Sequence, residues 1–85
     1  MESPAHQASP DPLRDLSARE RQILAMASRG LSNRQIAVEL EVTVHAVKFH
    51  LASIFRKLSV VNRTEAAVVF AKAMQFENVS TGLVG

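Results

Sequence analysis

Three times in this chain a small polar residue stands three positions ahead of a Glu or Gln, with an apolar run behind it. The pairs are Ser17 and Glu20, Ser32 and Gln35, and Asn62 and Glu65. This spacing is the capping box: the first side chain accepts an N–H from the opening turn of a helix, and the Glu or Gln accepts the N–H of the capping residue. Helix starts this close together leave room only for short helices and tight turns. No stretch alternates apolar and polar residues as a strand would. The predicted fold class is therefore all-α, a four-helix bundle.

The stops agree with the starts. After the first box, Ile23, Leu24 and Ala27 mark an inward face and Gly30 a stop, which predicts a helix over 18–29. Ile36, Ala37 and Leu40 give a short second helix over 33–40. Residues 41–43 form a turn, with Thr43 as cap of a third helix over 44–58. Residues 59–62 break it, and a fourth helix covers 63–74. All three prolines lie in residues 1–15, so that segment, with His6, reads as a disordered tail or linker. Residues 16–74 read as the domain and 75–85 as a flexible tail.

The third helix has two unlike faces. At 100° per residue, Val47, Leu51, Ile54 and Leu58 form one apolar stripe. His45, Lys48, Phe49, Ala52 and Arg56 gather on nearly the opposite side. A face merely kept in water mixes charges of both signs and avoids phenylalanine; this one has two cations, a histidine and no acid. Net charge over the chain is only +2. Between Glu41 and Glu65, however, there is no acid, while Lys48, Arg56, Lys57 and Arg63 all fall there. A phosphate backbone responds to that local charge; the plain alternative is a solvated basic helix.

Composition narrows the classes. With no Cys, disulfides and thiolate zinc sites are excluded. No apolar run approaches the length that spans a bilayer, and no basic-then-apolar leader opens the chain, so the expected location is cytoplasmic. Catalysis is not expected: there is no Ser/His/Asp or Cys/His set, no paired carboxylates and no glycine-rich phosphate loop. No cofactor is called for. His45 and His50, five apart on a helix, point in different directions and make no metal pair.

Two helices joined by a three-residue turn fit a helix-turn-helix, with the small Ala37 where the helices approach and Val47 buried ten residues on. Three stretches carry a closer likeness: LSARERQILAMASRGLSNRQIAVEL, VTVHAVKFHLASIFRKL and NRTEAA. Over residues 16 to about 73 the chain resembles the LuxR/GerE-type DNA-binding domain, also found at the C-terminus of NarL/FixJ-type response regulators. The resemblance implies a four-helix domain whose third helix reads the major groove and whose fourth pairs with a second copy. The implied role is transcription regulation in bacteria.

By position, the resemblance puts Lys48, Phe49 and Ala52 at base edges and Asn33, Arg34, Thr43 and Lys57 at phosphates. Three residues depart from the family pattern. Glu41 stands where the family often has Gly, at a cost of about 1 kcal/mol in a left-handed turn. Ala46 replaces a frequent Thr, and Ala52 a longer polar residue. From chemistry, Lys48 can donate to guanine, and Phe49 can touch a thymine methyl or instead pack on a neighbouring copy or the end of the second helix. His45 is a candidate backbone or base-edge contact, and Arg56, Lys57 and Arg63 are candidate phosphate contacts. His50, beside the stripe, is expected half-buried and hydrogen-bonded.

The fourth helix has almost no polar face apart from Lys72 and Gln75. One side must close the core over the first and third helices. The other would leave Ala67, Val68, Ala71 and Lys72 as a strip for a symmetric homodimer, placing two recognition helices one DNA turn apart on an inverted repeat. The competing reading is an interaction module that uses this strip to bind another protein, RNA polymerase among the candidates. No sensing or phosphoacceptor domain fits in 85 residues, so the expectation is a fragment of a longer regulator or a stand-alone one controlled by abundance.

Overall fold

The computed structural model describes residues 11–82. His6 and the rest of residues 1–10 lie outside the described residues, as do 83–85. The helices are α1 (Ala18–Ser28), α2 (Asn33–Leu40), α3 (Val44–Leu58) and α4 (Arg63–Gly82), with no strand among the described residues. α1 packs against all three others; α2 lies on α3, and α4 rests chiefly on α1 and only lightly on α3.

Two of the three boxes close as the sequence requires. The Ser17 N–H donates to Glu20 Oε1 at 2.9 Å while the Glu20 N–H donates to Ser17 Oγ at 3.1 Å. Ser32 and Gln35 repeat this at 2.7 and 3.1 Å. In the third, Asn62 Oδ1 accepts from the Glu65 N–H at 2.8 Å, but Glu65 reaches one residue further and takes the Val61 N–H at 3.0 Å. Thr43 caps α3 alone, accepting from the Ala46 N–H at 2.9 Å.

Three helices also end alike. Gly30, Glu41 and Ser59 each take a positive φ, of 95°, 58° and 59°. The residue after each, Leu31, Val42 or Val60, donates its N–H to the carbonyl five positions back, at Met26, Ala37 or Phe55. These are Schellman closures, and the apolar residue that follows packs on the core in each case. A Cβ on Gly30 would meet nothing within 4 Å, so the backbone angle, not space, favours glycine there. Glu41 and Ser59 adopt the same conformation without that freedom.

The core is drawn from every helix. Ile23, Leu24, Ile36, Val47 and Ile54 are fully buried, and Ala66 and Ala73 close it from α4. The sequence boundaries shift in three places. The first helix ends at Ser28, with Arg29 as its cap. α4 continues past Met74 to Gly82, since nothing from Gln75 to Thr81 is a glycine or proline. The expected tail over 1–15 is corrected at its inner end, where residues 11–15 pack on the domain. Leu13 and Leu16 are both buried in the core. Asp11 Oδ1 accepts from the Leu13 N–H at 2.9 Å, and Arg21 meets Asp11 Oδ2 at 3.4 Å.

Candidate nucleic-acid interface

α3 carries its two faces as its pattern demands. Val47, Leu51 and Ile54 are buried, while His45, Lys48, Phe49, Ala52 and Arg56 are exposed. α2 stands across the three-residue turn, and Ala37 is buried where the two helices meet. The left-handed Glu41 makes so short a turn possible, at the position where the resemblance led us to expect a glycine.

The expected contact residues fall into groups. Asn33, Lys48, Ala52 and Arg63 line one shallow groove of about 420 Å³ between the start of α2, the flank of α3 and the α3–α4 loop. Phe55, Val61 and Asn62 form part of its wall. Arg34 is exposed on α2 and lines a different groove, with Leu31 and Val38. His45, Phe49 and Arg56 lie along the exposed face of α3. Thr43 has its hydroxyl oxygen committed to capping.

Three of the expected phosphate contacts, Arg63, Asn33 and Lys57, have partners inside the fold. Arg63 donates from one terminal nitrogen to the Leu31 carbonyl at 2.9 Å and from the other to Asn33 Oδ1. It thereby ties the start of α4 to the start of α2. Lys57 Nζ donates to Glu20 Oε1 at 2.9 Å, and Glu20 Oε2 accepts from Ser53 Oγ at 2.8 Å. Of the four cations around α3, one is thus matched by an acid that the local sequence does not contain. Lys48 and Arg56 form no ion pair among the described residues.

Glu20 is the residue that sequence reasoning assigned only to a cap. Burial pushes its carboxyl up, but the Ser17 N–H, the Lys57 ammonium and the Ser53 hydroxyl together hold it down at about 2. A carboxylate with all these donors stays ionised in the interior. It clamps the C-terminal half of α3 onto α1 and so fixes the angle at which the exposed face is presented. The signal within reach was the pairing of an internal acid with a cation next to the α3 stripe, but 37 residues separate them.

His50 is half-buried as expected. Among the described residues it makes no hydrogen bond, and its ring instead meets Phe49 edge-on, with centroids 6.0 Å apart and planes at 72°. On α4, Val68, Ala71 and Lys72 are exposed and Ala67 is half-buried, while Ala66 and Ala73 face the core. Among the described residues no group of three or more His, Cys, Asp or Glu could hold a metal ion. No helix there is long and apolar enough to cross a membrane.

The sequence matches those of known proteins. Residues 14–70 match the family model for bacterial regulatory proteins of the luxR family. The monoamine regulon transcriptional regulator of Klebsiella aerogenes is 50% identical over 50 residues, 59% of this chain and 22% of that protein. The transcriptional regulatory protein LnrK of Bacillus subtilis (strain 168) is 44% identical over 59 residues, 69% of this chain and 27% of LnrK. The nitrate/nitrite response regulator protein homolog of Haemophilus influenzae is 42% identical over 60 residues, 71% of this chain and 29% of its own length. The match thus spans less than a third of each of these relatives. With a matching family model over most of its length and a helix-turn-helix in the matched region, the chain belongs to the luxR family of bacterial regulatory proteins.

Proposed function

We propose that this chain binds double-stranded DNA in a sequence-dependent way, as the effector domain of a cytoplasmic transcription regulator of the response-regulator kind. α3 enters the major groove with Lys48, Phe49, His45 and Ala52 toward the base edges. Arg56, Arg34, Asn33 and Thr43 meet the phosphates alongside. Lys57 and Arg63 each spend part of their donor capacity inside the fold, and their remaining N–H groups meet phosphate in an orientation that those internal bonds fix. Two copies join along α4 through Ala67, Val68, Ala71 and Lys72 and occupy an inverted repeat.

The observation that carries this reading is the exposed face of α3, which bears Lys48 and Arg56, neither ion-paired among the described residues, and no carboxylate. The steps follow from ordinary electrostatics. Cations displace the condensed counterions of the duplex, which brings the domain to DNA without regard to sequence. The groove-facing side chains then discriminate base pairs. No bond is made or broken, and the work of the fold is to hold α3 rigid.

A fluorescently labelled random-sequence duplex titrated with the chain at two salt concentrations tests the proposal. Binding should weaken steeply as salt rises, and Arg56→Ala, which removes a phosphate contact, should weaken it further and reduce the salt slope by about 1. Salt-independent binding, or an unchanged affinity for Arg56→Ala, contradicts it. The exposed Val68 favours a second reading, in which α4 docks on another protein such as RNA polymerase. Under that reading alone, Arg56→Ala changes nothing.

A further inference from the structure

Phe49 is 70% exposed on a helix whose inward stripe is already complete without it. Its ring meets that of His50 edge-on, with centroids 6.0 Å apart. One turn further along the same face, Ala52 is also exposed, and it carries no polar atom. The two make a small apolar spot inside a cationic surface, with Lys48 and His45 beside it.

We propose that this spot recognises the C5-methyl group of thymine, so that each half-site carries a thymine opposite Phe49. The inference deepens the major-groove reading above and rests on it. In the major groove, thymine alone among the four bases presents an apolar group; the other edges are hydrogen-bond donors and acceptors that a phenyl ring can only desolvate. A ring left in water gains from covering a methyl and loses from covering an amino group or a carbonyl. Ala52 leaves room at the neighbouring position, where a longer side chain would fill the space the methyl needs. Lys48, one residue before Phe49, brings donors to an adjacent purine without competing for the methyl.

The test uses the 85-residue chain and the duplex it enriches from a random pool, with each thymidine replaced in turn by deoxyuridine, which removes only the methyl. A replacement in one half-site should weaken binding about fourfold, the value of a single buried methyl-sized group. Phe49→Ala should bind the thymine and uracil duplexes equally while retaining the helix content of the parent by circular dichroism. Unchanged affinity of the parent chain for every uracil duplex, or discrimination that persists in Phe49→Ala, overturns the methyl assignment and leaves DNA binding standing. A selected site without thymine does the same. Failure to bind any duplex at low salt overturns both.

Discussion

The Lys57 ammonium lies 2.9 Å from the Glu20 carboxylate and joins the C-terminal half of α3 to the first turn of α1 across 37 residues of sequence. The same carboxylate accepts from the Ser17 N–H and the Ser53 hydroxyl, so one buried acid serves as cap, ion-pair partner and interhelical link. The outward face of α3 is held by this link and by the core stripe behind it.

Stability should therefore depend on pH in the acid range. Glu20 titrates at about 2 in the folded chain against an ordinary 4.5. A depressed carboxyl stabilises the fold above the unfolded value, and that stability is lost as pH falls from 4.5 through 2. The full contribution is about 3 kcal/mol. Urea unfolding at pH 7, 4 and 2.5 should show the decline, and Glu20→Gln should flatten it. An equally steep decline in Glu20→Gln would assign the effect to other groups.

Leu13 should behave as a core residue even though it lies in a Pro-rich stretch. It is 3% exposed, so Leu13→Ala should cost about 2–4 kcal/mol by denaturant unfolding. A change below about 0.5 kcal/mol would place it with the surface residues.

Glu41 takes a left-handed conformation that a side chain resists. Glu41→Gly removes the strain but frees the unfolded chain, and the balance should be a gain of about 0.5–1 kcal/mol. A loss of stability by thermal unfolding would mean that the Glu41 side chain contributes a contact worth more than the strain.

Val68 is 49% exposed on the outer side of α4. Val68→Glu should leave unfolding within about 0.5 kcal/mol of the parent. On an inverted-repeat duplex it should weaken binding roughly 10- to 100-fold, with single half-site binding unchanged. Equal loss on both duplexes would argue against pairing through this face.

Helix ends were legible in the sequence because their chemistry is local. Ser17, Ser32 and Thr43 cap the helices they were expected to cap, and Gly30 ends α1. The two faces of α3 were legible for the same reason, since periodicity needs only neighbours. Leu13 was hidden by the composition around it, although the Asp-Pro pair at residues 11 and 12 is an ordinary turn start. The Glu20–Lys57 pair was not legible, because nothing near either residue in sequence names the other. For α4, residues 75–85 read as a flexible tail, yet the first glycine comes only at Gly82 and the helix runs on to it.

Selection of the chain against a pool of random duplexes, followed by sequencing, bears most directly on α3 as a paired reader of the major groove. Enrichment of an inverted repeat with half-site centres about 10–10.5 base pairs apart is the expected result. Tight, salt-sensitive binding with no enriched sequence, or an enriched single site without symmetry, would contradict it.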